Sequence, residues 1–391
     1  MSADHFYPSS RAGGPPISLR HLLEETDLDM SLVCRDRDLN SKVPYDPPFS
    51  GELRTGRHVV RYTRITSIRD ALRMLSWMRA RRPDVLYVNS FHSVPFTVVP
   101  LVAQWVGYLR VRKVLLSPRG EFNPRALALG SAAKSAYLRV WRKLGLHRRV
   151  VWVASSEKER AEIHEIWGSD VQVEVIPERG RLEILSEPTE GSGRDELSLA
   201  FVGRISPIKG LLEAIEGLAG VDKSVSLAVY GPIEDEAYWS RCRKAITILP
   251  ACVAVTYEGE LSASGVATVF RNADALLLPT HGENFGHVLG EALAMSCPVI
   301  VGLNTPWTEL LHDGGGAVVD PTDIASITDA VTHFCELSAA ERMRQRGHAL
   351  AVVREWRSRG ESAQTFDALV RSSLAEAGHP TDFGPTHPAP G

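Results

Sequence analysis

The stretch Leu278-Pro-Thr-His-Gly-Glu283-Asn-Phe-Gly286-His-Val-Leu-Gly-Glu291-Ala-Leu293 decides how this chain folds. The apolar run 275–278 before it has the length and composition of a buried strand. A loop carrying Glu283 follows, and a helix starts near Gly286, placing Glu291 about one and a half turns in. Free N–H groups at that helix start, with the positive end of the helix dipole, make an anion site. Gly286 lets a phosphate come close to the backbone. A carboxylate on each side can accept hydrogen bonds from sugar hydroxyls, worth roughly 1.5–3 kcal/mol each. Phosphate in the middle with hydroxyl acceptors on either side describes a pocket for a nucleotide sugar. Taken alone, the pair also fits a Glu283 that caps the helix and a solvated Glu291.

The same strand–loop–helix grammar runs outward in both directions. Strand candidates lie at 31–34, 58–62, 84–89, 113–117, 150–154 and 171–176 in the first half. In the second half they lie at 198–202, 226–230, 253–257, 275–278, 298–301 and 317–319, with helical patterns such as 67–81 and 156–167 between strands. Such alternation predicts parallel sheets covered by helices on both faces. With 391 residues, the chain suits two such α/β domains. The pattern weakens over 177–194, rich in Pro, Gly, Glu and Ser. The expected organisation is therefore a first domain over 1–180, a linker over 181–194, and a second domain with closing helices over 195–375. The Pro- and Gly-rich tail 376–391 reads as disordered.

Two further segments carry chemistry. Ala200-Phe-Val-Gly203-Arg204-Ile-Ser-Pro-Ile-Lys209-Gly210 ends a strand at Gly203 and places two cations on one loop. They could hold a diphosphate and neutralise charge building on a leaving group, or be ordinary solvated loop cations. Near the start, Arg11-Ala-Gly13-Gly14-Pro15-Pro16 reads as a flexible loop entering a helix, able to approach a phosphate.

Composition narrows the rest. Residues 1–180 carry 28 Lys and Arg against 19 Asp and Glu, while 181–391 carry 16 against 28. The basic half points to an anionic partner such as a membrane surface, or to attraction between the halves. Within 130–150, Lys134, Arg139, Arg142, Lys143, Arg148 and Arg149 alternate with Ala, Tyr, Leu and Trp. That is a helix able to lie on an anionic bilayer, or a surface helix packed on the sheet by its apolar stripe. Five scattered cysteines without a C-x-x-C pair argue against a disulfide framework or zinc site and fit a reducing cytoplasm. No secretory signal pattern and no spanning run of about 20 apolar residues is visible. Nothing in the sequence points to nucleic acid.

Together, these segments resemble the signature of the group 1 glycosyltransferases (glycosyltransferase family 4). The resemblance covers nearly all of residues 4–370. Glu283 and Glu291 match the family's paired glutamates, and Gly203, Arg204, Lys209 and Gly210 match its Gly-Arg–Lys-Gly loop. Gly13 and Gly14 match its first Gly-Gly loop. The resemblance implies a GT-B fold, two Rossmann-like domains facing across a cleft. It also implies a cytoplasmic, bacterial, retaining sugar transferase that uses a nucleoside diphosphate sugar, with no metal and no cofactor. Arg204 and Lys209 would bind the diphosphate and Glu283 the transferred sugar. Glu291 would bind the ribose, the backbone at Asn284, Phe285 and Gly286 a phosphate, and Gly259 the base. Asp36-Arg-Asp, Ser117-Pro-Arg-Gly-Glu-Phe and Thr305-Pro-Trp look similar to a branch associated with bacterial surface polysaccharides.

The acceptor is expected to be a hydroxyl compound, a lipid-linked glycan among the candidates, with Arg119, Glu121 and Asp36 on its side of the site. Many relatives have His-Gly where this chain has Arg119-Gly120, and an arginine cannot shuttle a proton at neutral pH. The competing readings are a non-hydrolysing epimerase and a binding protein that kept the fold. Finally, only Met1-Ser-Ala-Asp4 precede the Gly-Gly loop region that opens at His5, where a doubly wound domain needs a central strand of about five residues. This predicts a truncated first strand, unpaired backbone beside it, and a native start roughly ten residues upstream.

Overall fold

A computed structural model describes residues 1–9, 11–47, 49, 51–122, 132–178, 182–193, 195–361 and 365–376. They group into two units. The first is Met1–Pro177 joined by the last helix, and the second begins at Glu178 and runs to the end of the long helix before it.

In the first unit, eight strands lie in the order β3-β4-β2-β1-β5-β6-β7-β8. They are β1 (Ser2–Ala3), β2 (Ser31–Arg35), β3 (Gly51–Thr55), β4 (His58–Thr63), β5 (Val85–Asn89), β6 (Lys113–Ser117), β7 (Val151–Ala154) and β8 (Val173–Val175). All pairs are parallel except β3 with β4. Central strands such as β5 and β6 are apolar on both faces because helices cover both sides of the sheet. Helix α1 (Gly14–Glu25) starts on Pro15 and Pro16. Helix α2 (Ile68–Ala80) starts on a capping box between Ser67 and Asp70. Helices α3 (Val99–Trp105), α4 (Ala132–Lys143) and α5 (Glu157–Trp167) follow.

The central strand is present. Ser2 and Ala3 sit fully buried between β2 and β5 and pair with both. The carbonyls of Met1 and Asp4 accept from Val33 N and Arg35 N at 3.1 and 3.0 Å, so β2 keeps its ladder. The expectation of unpaired backbone beside a missing strand is corrected accordingly. Strand β3 was not foreseen. Its pattern is exposed, as an antiparallel edge strand allows, and gives no hydrophobic signal.

Helix α4 packs Trp141, with Tyr137 and Leu138, into the aromatic core around Phe91, Trp152 and Trp167. Its apolar stripe is thus used against the sheet, while Arg139, Val140, Arg142 and Lys143 remain exposed. Residues 130 and 131 of that basic stretch lie outside the described residues.

The second unit holds six parallel strands, β11-β10-β9-β12-β13-β14. They are β9 (Leu197–Val202), β10 (Val225–Tyr230), β11 (Val253–Gly259), β12 (Ala275–Leu278), β13 (Val299–Gly302) and β14 (Gly316–Val319). Helices α6 (Leu211–Leu218), α7 (Glu236–Ile246), α8 (Ala263–Asn272), α9 (His287–Ala294), α10 (Ile324–Glu336) and α11 (Ala339–Glu361) connect and flank them. The order reverses between β9 and β12, and the carboxyl ends of strands flanking such a reversal are where ligands bind in open α/β sheets.

Two expected boundaries move. Residues 182–193 are strapped onto the second unit, with Leu182 in its core. Leu185 N donates to Ala294 O at 3.0 Å and Ser192 Oγ to Asp274 Oδ2 at 2.7 Å. Polar composition gives this strap the look of a free linker, yet Thr189 and Ser192 bond to Ser296 and Asp274, just ahead of the interior strands β13 and β12. The last helix, α12 (Phe366–Glu376), belongs with the first unit, where Phe366, Leu369 and Val370 pack against Leu19, Leu23 and Tyr87. The tail 377–391 lies outside the described residues.

Candidate active site

Three loops leave the carboxyl ends of β9, β10 and β12 and are tied together by backbone. Ile205 N donates to Pro232 O at 2.9 Å, and Glu234 N returns a bond to Ile205 O at 3.2 Å. His281 N donates to Ile208 O at 2.9 Å. The approach is so close that two glycines are obligatory. A Cβ on Gly231 (φ +135°) would lie 1.9 Å from Gly203 O, and one on Gly210 (φ +75°) 2.1 Å from Pro279 O. Gly210, and Gly231 through its contact with the Gly203 carbonyl, thus shape the loop that carries Arg204 and Lys209.

The charged side chains then fall into place. Lys209 Nζ lies 2.5 Å from Glu283 Oε1, with side chains only 14% and 10% exposed. Thr280 Oγ1 donates to the same carboxylate oxygen at 3.2 Å, and Glu283 N is held by Asn304 O at 3.0 Å. Arg204 Nη1 meets Glu234 Oε1 at 2.7 Å, both about one third exposed. A polar chain backs this arrangement: His281 Nε2 lies 3.0 Å from Glu213 Oε1, and Tyr238 Oη donates to Glu213 Oε2 at 3.2 Å. Burial pushes the Glu213 carboxyl up, but the bond and charge of His281, the backbone N–H of Glu213 itself and, least, the Tyr238 hydroxyl together outweigh it and leave the group below its ordinary value.

Gly286 caps α9 with φ +76°, and its carbonyl accepts from Leu289 N at 2.9 Å and Gly290 N at 3.3 Å, so the N–H groups without an intrahelical acceptor are those ahead of Leu289. Phe285 turns its ring away, into contact with Trp307 and Trp356, and its carbonyl accepts from Trp307 Nε1 at 2.7 Å. Only its N–H remains for a ligand, beside the backbone of Asn284 and Gly286. Glu291, one turn into α9, has its carboxyl pushed up by burial, against a smaller opposing pull from His287. A buried carboxylate in this state gains from hydroxyl donors. His287 Nε2 itself lies 3.0 Å from Glu178 Oε2. Gly259 (φ +84°) ends β11, and its carbonyl accepts from Gly231 N at 2.8 Å.

The residues expected on the acceptor side lie in the first unit and are partly brought together. Arg119, at φ +53°, donates from Nε to Asn89 Oδ1 at 2.6 Å and from Nη2 to Tyr87 Oη at 3.0 Å. The Glu121 carboxylate accepts from Ser90 Oγ at 2.6 Å and His92 N at 2.9 Å, and lies 2.5 Å from His92 Nδ1. Both residues of the β6 loop thus bind the end of β5. Asp36 stands apart, with its carboxylate on Arg37 Nε at 2.8 Å. Gly13 caps α1 at φ +75° and Gly14 opens it.

Sequence reasoning missed Glu234, His281, Glu213 and His92. Glu234 and His281 follow the strand ends of β10 and β12 by a few residues, the position at which Arg204 and Glu283 were found. His92 and Glu213 carry no local signal and matter through partners distant in sequence.

The geometry is that of a GT-B chain with its charged residues around the switch point of the second sheet. The sequence comparisons agree. The description "Glycosyl transferases group 1" matches residues 186–349, and "Glycosyl transferase 4-like domain" matches residues 18–178. The chain belongs to the group 1 glycosyltransferases. A relative, D-inositol 3-phosphate glycosyltransferase of Mycobacterium tuberculosis (strain ATCC 25618 / H37Rv), is 27% identical over 235 residues, covering 56% of this chain and 47% of the relative. The match thus spans about half the length of the curated relatives.

Among solved structures, HepE of Anabaena in complex with UDP and glucose is similar over 96% of this chain and 99% of that one, with TM-score 0.68 and 17% identity. Sucrose-phosphate synthase of Thermosynechococcus elongatus is similar over 96% and 94%, with TM-score 0.66 and 17% identity. These likenesses establish the fold. No helix among the described residues is long and apolar enough to cross a membrane.

Proposed function

We propose that this chain transfers a sugar, with retention, from a nucleoside diphosphate sugar to a hydroxyl acceptor in glycan or polysaccharide biosynthesis. One observation carries the reading: Lys209 and Glu283, from loops on either side of the sheet's switch point, meet in a nearly buried pair beside the start of α9. A donor's diphosphate would draw Lys209 and Arg204 onto itself, and both cations would offset charge as the sugar–phosphate bond breaks. Glu283 would then turn to the sugar hydroxyls and Glu291 to the ribose. The backbone from Asn284 to Gly286 would take a phosphate, and the end of β11 at Gly259 the base. In the first unit, Arg119 and Glu121 fix the ends of β5 and β6, which supports a shaping role for them on the acceptor side. Asp36 is assigned to the same side, and Gly13 and Gly14 to a donor phosphate.

UDP-sugars are the first donors to test, because HepE was solved with UDP and glucose. The sequence likeness to surface-polysaccharide enzymes supports a glycan acceptor, lipid-linked glycans included, and a cytoplasmic site of action at an anionic membrane. A panel of nucleotide sugars in a thermal-shift assay tests the donor reading. A true donor at 100 times its Kd adds about 2.7 kcal/mol of stability. No shift with any nucleotide sugar refutes it. Product analysis without acceptor separates transfer from epimerisation, which needs no acceptor.

A further inference from the structure

Every cation assigned to the donor's diphosphate already holds a carboxylate. The Lys209 partner, Glu283, has a task of its own in the proposed reaction. The Arg204 partner, Glu234, has none. Its carboxylate meets no described residue other than Arg204. The neighbouring acid, Asp235, is committed to structure, accepting from Tyr238 N at 2.9 Å as the cap of α7.

Glu234 is also placed by backbone and not by its charge. The bridge between Ile205 and Ile233 extends the β9–β10 register beyond the strands, and Glu234 N donates to Ile205 O at 3.2 Å. In this parallel register Arg204 lies opposite Pro232 and Glu234 opposite Ser206, so the two charged residues are diagonal neighbours flanking the Ile205–Ile233 bridge, and their side chains close the offset with a 2.7 Å contact. Gly231, locked against Gly203 O, fixes the same register from the other end.

We propose that Glu234 is a resident counter-ion for Arg204. It occupies the guanidinium while the donor site is empty, yields it to the diphosphate on binding, and reclaims it as the nucleoside diphosphate leaves. The inference rests on the donor-site reading above and adds product release to it. In the empty site the charges of Arg204 and Lys209 are cancelled by those of Glu234 and Glu283. An arriving diphosphate must break the Arg204–Glu234 pair and tolerate a nearby like charge. Both effects weaken the bound nucleotide and speed its departure. A carboxylate that merely aimed Arg204 at the ligand would act in the opposite direction, since its loss would weaken binding.

The test is calorimetric titration of the full chain with UDP and with uridine, with stopped-flow displacement of UDP. Glu234→Gln and Glu234→Ala should both bind UDP about three- to tenfold more tightly, the range set by losing a part-exposed ion pair and a like-charge contact. Uridine binding should not change. The alanine variant matters because it cannot donate a new hydrogen bond to phosphate. The gain should appear mostly as slower release. It should vanish in an Arg204→Ala background, because the two residues act through each other. Unchanged or weaker UDP binding in Glu234→Ala, with Arg204→Ala still weakening UDP, overturns the counter-ion role alone. Wild-type protein that binds no nucleoside diphosphate, or Arg204→Ala that binds UDP as wild type does, overturns the donor-site reading itself.

Discussion

Replacing Lys209 by Met separates what its ion pair does for stability from what it does for the reaction. The side chains of Lys209 and Glu283 are 14% and 10% exposed, so removing the cation strands a nearly buried carboxylate with only the Thr280 hydroxyl on it. Breaking a fully buried pair this way costs about 3–5 kcal/mol, and the residual exposure at this loop rim brings the figure to about 2–3 kcal/mol. For a unit of this size that lowers Tm by roughly 5–10 °C. On the reaction, losing one preorganised cation at the leaving diphosphate raises the barrier by about 3–4 kcal/mol, a loss of turnover of roughly two to three orders of magnitude. The double variant Lys209→Met, Glu283→Gln removes the stranded charge. It should regain most of the lost Tm and none of the lost turnover. Calorimetric melting and product formation from a labelled nucleotide sugar read the two effects separately. A Lys209→Met protein with turnover within tenfold of wild type refutes the diphosphate role. A single variant that melts like wild type refutes the energetic account of the pair.

Burial raises the Glu291 carboxyl, so its ionised form is disfavoured in the folded chain. The unfolded chain therefore ionises first, and stability falls as pH rises through and above the ordinary carboxylate range of about 4.3. Glu291→Gln should raise Tm at pH 7 and leave it unchanged well below pH 4, yet weaken UDP in calorimetry. Equal Tm at both pH values refutes the assignment. Gly231→Ala should cost about 3–5 kcal/mol in a urea melt, because its Cβ would press on Gly203 O. Gly56→Ala, at φ +60° with nothing within 4 Å, should cost about 1–2 kcal/mol. Equal costs would show that the loop contact does not matter. Flotation with anionic liposomes tests the exposed basic face of α4. Binding should occur at low salt and be lost at high salt, and no binding at low salt removes the membrane contact.

Local chemistry made some of this legible and hid the rest. Strand β12 and helix α9 could be read from sequence because an apolar run, a loop and a glycine stand in order, each obeying its own rule. The same rules found Arg204 and Lys209, since cations on a βα loop must project toward the carboxyl ends of the strands. Strand β3 was invisible because an exposed edge strand has no apolar face. The short β1 was invisible because two residues carry no periodicity; only its pairing with β2 and β5 defines it. The strap over 182–193 looked like a linker because sequence cannot show that Thr189 and Ser192 spend their polarity on Ser296 and Asp274. Helix α12 has apolar residues at helical spacing, but nothing local tells which unit they cover.

Side-chain roles at the site escaped for a related reason. Glu234 and Glu283 are both acids a few residues beyond a strand end, and their sequence neighbourhoods do not distinguish them. What distinguishes them is burial and partner. Glu283 is nearly sealed against Lys209 and supported by Thr280, whereas Glu234 is open to solvent on one side and bound to Arg204 alone. The backbone ties among the β9, β10 and β12 loops involve no charged group, so the loops keep their places whichever ion each charge is facing. On the donor-site proposal, that separation would let a diphosphate exchange partners with four charged side chains without moving the sheet beneath them. It also means that substitutions at the part-exposed Arg204 and Glu234 should change binding and rate far more than fold, whereas substitutions at Gly210 and Gly231, where a Cβ would strike backbone, should do the reverse.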